Sequence, residues 1–529
     1  MRRPLPSSAS PSSKGKSIPA PVGGWNARDA LASMPATDAI FLDNFFPRTN
    51  DIMLRKGSAL FATLPADTQP LTPHDVRSLM VYKATDGTST LFAVAQDGIY
   101  NATAGGTITV VDSVVTSHEW QYTNVTTAGG SFLWCCNGVD KSRYFNGTAW
   151  TVLDGVSTPA LTGVTSADVV NVHLHKSRLY LCVKESLSFF YLPVNSVAGA
   201  ASEFPLGAIF RRGGYIVATE SLTIDGGNGP EDYFVALTSE GECALYAGTD
   251  PASASTWALQ GVYYIGAPVG RRCMVKFGGD VAVLTVQGLS LLSRRLNTAS
   301  IGLKSAISDK ISRAWIDYTE QGKSYYGWQP IVFPEGPFLL VNVPVLSEQS
   351  TGNVYSYQFV MNTQTAAWCR FTNMPAEVWT TMDGRLFYAL HNKIYEAWTG
   401  SVDARGPIDG RVKTAFMYPA GRGTSTHVKL VRPIFETSTT NLRLQLGIDT
   451  DYDEANLAFS AISYQNGVAF WDTAKWDEAY WTASRVVAKW RTINHQPGRA
   501  ISLRLRVLGK DITMSWNATD FILQKGGLL

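Results

Sequence analysis

Tyr233-Phe-Val-Ala-Leu-Thr-Ser-Glu-Gly241-Glu-Cys-Ala-Leu-Tyr246 is the stretch whose reading decides the fold. Two apolar runs rich in aromatic and β-branched residues flank a turn centred on a residue that tolerates positive φ, which is a hairpin signal. The same pattern recurs in both directions. Upstream stand Leu91-Phe-Ala-Val-Ala-Gln-Asp-Gly98-Ile-Tyr100, Phe132-Leu-Trp-Cys-Cys-Asn-Gly138 and Arg178-Leu-Tyr-Leu-Cys-Val-Lys-Glu-Ser186-Leu-Ser-Phe189. Downstream stand Asp280-Val-Ala-Val-Leu-Thr-Val-Gln-Gly288-Leu-Ser-Leu291 and Arg385-Leu-Phe-Tyr-Ala-Leu-His-Asn392-Lys-Ile-Tyr395, with a looser copy joining 338–343 to 354–360. The turns at 98, 138, 186, 241 and 288 are 40, 48, 55 and 47 residues apart, the scale of one four-stranded propeller blade, about 40–50 residues. One blade cannot bury both faces alone, so the repeat predicts a closed ring of six to eight blades. One or two large β-sandwiches with similar strand spacing are the alternative.

The rest of the chain fits a mainly β protein with few short helices. Apolar residues make up 45% and charged residues 17%, with 46 glycines and 11% aromatics, which suits many short strands joined by turns. The charged share is below the usual ~25%, so part of the surface is expected to be covered by partners. A net charge of +2 gives no basic stripe for gripping duplex DNA; only Arg2, Arg3, Lys14 and Lys16 form a local basic excess. The six cysteines lie in apolar runs without a C-x-x-C pair and read as buried thiols. The N-terminus turns to Pro and Ser instead of an apolar run, and no stretch approaches ~18 apolar residues, so neither a signal peptide nor a membrane-spanning helix is expected.

Four segments are expected. Residues 1–22 read as an arm, disordered or ordered by a partner. Residues 23–74 carry a distinctive N-terminal segment, 75–400 the propeller-like body, and 401–529 a C-terminal antiparallel β domain. In that last domain the runs 428–435, 442–448, 486–493 and 501–507 read as strands; Ile501, Leu503, Leu505 and Val507 share one face. Helical spacing of Leu303, Ile307, Ile311 and Ala314/Trp315 predicts one amphipathic helix over 300–315, packed on the body.

Motifs for chemistry are weak. Gly322-Lys323-Ser324 ends like a P-loop, but Asp317 stands where the first glycine belongs. His173 and His175 would share one strand face, without an evident third metal ligand. Asp449, Asp451 and Asp453 open like a calcium loop, but Glu454 and Ser460 occupy the positions that need Gly and Glu. No carboxylate pair stands in an evidently apolar context, so catalytic residues, cofactor and metal ligands are all read as none. Trp471, Trp476 and Trp481, five residues apart with Phe470 and Tyr480 beside them, form an aromatic ladder suited to a contact patch or to local packing.

One region resembles a known family. Gly23-Gly24-Trp25-Asn26-Ala27-Arg28-Asp29-Ala30-Leu31 is followed by Met34-Pro35, Asp38-Ala39, Leu42-Asp43-Asn44-Phe45-Phe46-Pro47 and Leu54-Arg55-Lys56-Gly57. This order resembles the opening signature of the tail nozzle, or packaged-DNA stabilisation, proteins of short-tailed bacteriophages (podoviruses). The tryptophan ladder beside the strand-rich C-terminal segment is similar to them more loosely. The resemblance implies a structural virion protein of the phage tail, made in the host bacterial cytoplasm. It implies a homo-hexamer below a tail adaptor ring, contacts to tail fibres or spikes, and genomic DNA held in the lumen without sequence specificity. It carries no catalytic residue, so an enzyme is not expected. Candidate interface residues are Trp25, Arg28, Asp29, Phe45, Phe46, Trp471, Trp476 and Trp481, and the loops 196–201 and 347–353 are candidate gates or fibre-docking points. The alternatives are a receptor- or glycan-binding tail protein and, behind it, a propeller glycoside hydrolase.

Overall fold

Strands whose two faces are both apolar need cover on both sides, and these strands find it in each other. The computed structural model describes residues 13–65, 75–113, 115–225, 230–297, 306–346, 354–438, 443–453, 460–462, 485–493 and 495–528. The chain divides into two compact units, 59–359 with 374–398, and 1–58 with 360–373 and 399–529.

The first of these units is a β-propeller, and among the described residues its strands form seven blades. Blade 1 runs outward as Ser78–Lys83, Ser89–Ala95, Gly98–Asn101 and Thr109–Asp112. Blade 2 is Gln121–Thr127, Gly130–Cys136, Arg143–Phe145 and Trp150–Val152; blade 3 is Val169–His175, Arg178–Val183, Ser188–Tyr191 and Ser202–Pro205. Blade 4 is Ile216–Asp225, Pro230–Thr238, Glu242–Gly248 and Trp257–Tyr264. Blade 5 has three strands, Met274–Phe277, Asp280–Thr285 and Gly288–Leu291, and blade 6 begins Gln329–Phe333, Phe338–Leu346, Val354–Asn362. Blade 7 is Val378–Met382, Arg385–Leu390 and Lys393–Ala397, with Ser58–Thr63 hydrogen-bonded on its outside. A strand from before the first blade therefore completes the last, which locks the ring.

Side-chain alternation explains why the runs look apolar throughout. In blade 1, Met80, Tyr82, Phe92 and Val94 pack with Leu133, Cys135 and Phe145 of blade 2. Leu79, Val81, Leu91 and Ala93 face the other way, onto Val378, Phe387, Ala389 and Ile394 of blade 7. Blade 2 repeats the division: Trp134 and Cys136 meet Leu179 and Leu181 of blade 3. Successive residues of a strand point to opposite faces, so each blade feeds two cores. All six cysteines are buried and free.

The helix differs from its expected span. It runs Ser312–Gly322 after a 3-10 turn at Asp309–Ile311, and a short helix covers Leu292–Asn297. Part of the predicted 300–315 span lies outside the described residues; Ile307 donates its N–H to the Leu289 carbonyl instead of entering the helix. The buried face is Trp315 and Thr319, and the Trp315 indole donates to the Thr285 carbonyl at 3.0 Å.

The second unit has two largely antiparallel sheets, with parallel pairings of Asp38–Asp43 to Gly24–Trp25 and to Trp368–Phe371. One contains Thr424–Thr437 paired with Met514–Leu528, to which Ser13–Pro19 adds an edge. The other lines up Asp38–Asp43, Ile408–Thr414, Ile501–Gly509 and Arg443–Thr450. Phe45 and Leu54 fill the space above Gly410 and Gly509, where a Cβ would meet them at 2.5–2.7 Å. The expected segment boundaries therefore shift. Residues 13–58 are strands of the C-terminal domain because their edges pair with it, while 59–63 belongs to the propeller. Leu503, Leu505 and Val507 are buried on one face, as their alternation predicts.

Candidate functional site at the mouth of the propeller channel

The residues that precede the innermost strands meet at one end of the ring. Arg272, entering blade 5, reaches over to blades 1 and 2. Its Nη2 donates to Ser78 Oγ and the Trp120 carbonyl, both at 3.0 Å. Tyr326, before blade 6, donates its hydroxyl to the Arg77 carbonyl at 2.6 Å, and the guanidiniums of Arg77 and Arg272 each lie 5.5 Å from its ring centre. This guanidinium and phenol tie blades 1, 2, 5 and 6 together at that end. Arg272 also lines a cavity of about 490 Å³, together with polar side chains including Gln121, Asn124, His173, Glu220, Lys276 and Thr380.

An ion network sits at the seam between blades 1 and 7. His391 Nδ1 lies 2.9 Å from Asp75 Oδ1 and 3.8 Å from Glu377 Oε1. Arg77 lies 3.6 Å from Glu377 and 3.1 Å from Glu119. Burial, with the Asp75 charge behind it, pushes the Glu377 carboxyl up to about 7. The hydrogen bond from His391 holds Asp75 below the usual carboxylate range. The ligand atoms of Asp75, Glu377 and His391 all lie within 4.8 Å of one another, close enough to share a cation. Arg77 already supplies positive charge there, so the arrangement works as an ion network joining first blade to last.

His173 and His175 both contact Ser221 Oγ, at 2.8 and 2.7 Å, and His173 Nδ1 lies 3.5 Å from Glu220 Oε1. The order Ser–His–carboxylate imitates a hydrolase triad. Ser221, however, is buried, and its hydroxyl is divided between two imidazoles, which leaves it poorly placed to attack a substrate. Burial lowers His173, which lines the cavity, and takes the buried His175 down to about 3, so the neutral form is favoured in both.

Asp449 is enclosed by Lys413 at 3.2 Å and Arg504 at 2.7 Å, while Asp451 accepts from the Arg499 and Ala500 backbone N–H groups. Two of the three carboxylates of the suspected calcium loop thus have other work.

In the second unit, the N-terminal signature is a buried node. Asn26 holds Asp29 and Asp38 through its amide at 2.9 and 2.8 Å, and its Oδ1 accepts from the Arg28 and Asp29 backbone. Gly24, at φ +82°, leaves room for the Trp368 backbone. Arg55 uses every donor it has. Its Nε meets Asn44; Nη1 meets Asp403 and the Lys56 carbonyl; Nη2 meets Asp403 and the Thr372 carbonyl, all at 2.6–3.0 Å. Asn44, in the left-handed region at φ 57°, also binds Thr372 and the Asp409 carbonyl.

Among the candidate interface residues, Trp25, Phe45 and Phe46 are buried inside the unit, at 5%, 0% and 2% exposure. A side chain already enclosed by its own unit has little surface left for a neighbour. Trp25 packs against the Arg370 guanidinium and Phe45 against Gly410. Of these candidates Arg28 and Asp29, paired at 2.8 Å, are partly exposed. Trp471, Trp476 and Trp481 lie outside the described residues, as does the 347–353 loop. In the 196–201 loop, Gly199–Ala200 pairs with Leu161–Thr162. No helix among the described residues is long and apolar enough to cross a membrane.

The sequence matches no protein-family model and no curated protein. Solved structures similar to it are propeller-like. YCF48 from Cyanidioschyzon merolae is 11% identical, covering 64% of this chain and 98% of that one, at a TM-score of 0.35. BBS1N in complex with ARL6DN is 12% identical, covering 66% and 98%, at 0.36. Trypanosoma rangeli sialidase is 9% identical, covering 86% and 95%, at 0.28. The blade count itself rests on the strand pairing.

Proposed function

We propose that this chain is a structural subunit of a short bacteriophage tail, the nozzle that lines the distal DNA channel and retains the genome until infection. The observation that carries the reading is the signature Gly23 to Gly57. The residues that resemble the nozzle family are the ones that build the buried node, with Asn26, Asn44 and Arg55 at its centre. A resemblance resting on fold-defining residues is harder to reach by chance than one resting on surface composition. On this reading a homo-hexamer hangs from the tail adaptor ring, holds fibres or spikes, and encloses DNA without reading its sequence.

Light scattering and negative-stain imaging of the purified protein, alone and with the adaptor complex, test it. Sixfold rings or tubes support the reading, and a monomer that never joins the adaptor rejects it. One observation favours a glycan-processing alternative, the Glu377 carboxyl held near neutrality beside Asp75, since a glycosidase acid needs a raised pKa. A saccharide-hydrolysis screen in which Glu377→Gln abolishes turnover would establish that alternative instead.

A further inference from the structure

Arg295 lies on the short helix Leu292–Asn297 that follows the third strand of blade 5. It is 5% exposed, and among the described residues all three of its guanidinium nitrogens are buried without a hydrogen-bond partner. Other buried arginines of the chain are matched: Arg55 has Asp403 and Arg143 has Asp112. Asp280, a carboxylate of the same blade, is occupied by the Ser293 hydroxyl and backbone N–H and by the Val281 N–H. Residues 298–305, which follow the helix in sequence, contain neither Asp nor Glu. Burial lowers the pKa of Arg295.

A second orphan stands on the same blade. Ser290, at 2% exposure, has a hydroxyl without a partner on the strand that runs into this helix. Among the described residues, blade 5 has three strands where blades 1 to 4 have four.

A buried guanidinium without a counter-ion is strongly destabilising, and an apolar side chain of similar length would fill the same space more favourably. A guanidinium offers five donors in a planar fork that matches carboxylate and phosphate oxygens. We propose that Arg295 is an anion receptor, whose guanidinium takes an oxyanion, phosphate or carboxylate, at blade 5. Its helix is six residues long, so it opens at low cost to admit the ion. The site is independent of the role assigned to the whole chain.

Thermal unfolding of the full-length protein in sodium phosphate, sodium acetate and sodium chloride at matched ionic strength tests this. In wild type the unfolding temperature should rise saturably with phosphate, acetate or both, relative to chloride. A response to phosphate alone would mark a phosphate receptor, and a response to acetate alone a carboxylate receptor. Arg295→Met should start higher than wild type in chloride and stay flat in every anion, while Arg295→Lys keeps a weakened response. If Arg295→Met does not fold, Arg295→Gln is read the same way, alongside calorimetric titration of wild type with phosphate and with acetate. Equal responses in wild type and variant would overturn the proposal, and so would a wild type that neither responds to nor binds either anion.

Discussion

Replacing Arg55 by methionine should destabilise the signature-bearing unit by about 3–5 kcal/mol, the usual cost of removing one partner from a buried ion pair. The magnitude follows from the surroundings. The Arg55 and Asp403 side chains are 0% and 2% exposed, so methionine strands a carboxylate out of reach of water. It also removes donors to Asn44, the Lys56 carbonyl and the Thr372 carbonyl. Arg55→Lys keeps the charge but loses the planar fork, and should cost about 2–3 kcal/mol, one charged hydrogen bond's worth. Asp403→Leu alone leaves the guanidinium unpaired and should cost as much as Arg55→Met. The double variant Arg55→Met with Asp403→Leu removes both charges, and its loss should fall short of the summed single losses by about 2 kcal/mol or more. Urea unfolding of wild type and the four variants measures this, with hydrogen exchange in Ile501–Gly509 to locate the opening in this unit. A loss below about 0.5 kcal/mol for Arg55→Met would refute the reasoning, because surface substitutions commonly stay within that range. Simple additivity would refute it too.

Two further predictions follow from the same structure. The Glu377 carboxyl titrates near 7 in the folded protein, above its ordinary value of 4.5. A raised acid binds its proton more tightly when folded, so its contribution is fully present below pH 4.5 and is lost as pH rises through 7. That loss is at most about 3.4 kcal/mol; Glu377→Gln should flatten this part of the stability profile in urea titrations between pH 4 and 8, and an unchanged slope would exclude it. A Cβ on Gly57 would land inside the Val402 carbonyl, whereas one on Gly15 meets nothing within 4 Å. Gly57→Ala should therefore cost about 1–3 kcal/mol by overpacking and Gly15→Ala close to nothing, as unfolding midpoints will show; equal midpoints would contradict the packing described.

The hairpins were legible because each is local and because both faces of every blade are apolar. Their ring closure was not. Ser58–Thr63 joins blade 7 although the rest of that blade lies more than three hundred residues later, and no local pattern announces such a pairing. Some turns also lack the expected glycine: Lys176 and Ser177, at φ 44° and 61°, join the first two strands of blade 3. Ile307 and Ile311 fit the helical period and so place the helix too early, since Ile307 bonds to Leu289 outside it. Candidate site residues suffered most. Trp25, Phe45 and Phe46 carry the signature, and aromatic character alone does not distinguish a core anchor from an interface anchor. Arg55 and Asp403, 348 residues apart, and Asp75 and His391, 316 apart, are partners only in space. Arg295 gave no signal at all, since an unpaired charge is visible only once its neighbours are known.

Assembly as a nozzle is tested most directly by the mass and symmetry of the chain mixed with a podovirus tail adaptor ring. Light scattering and negative-stain imaging should then show sixfold particles with a central lumen. A chain that stays monomeric beside the adaptor at concentrations where the ring itself is intact would contradict it.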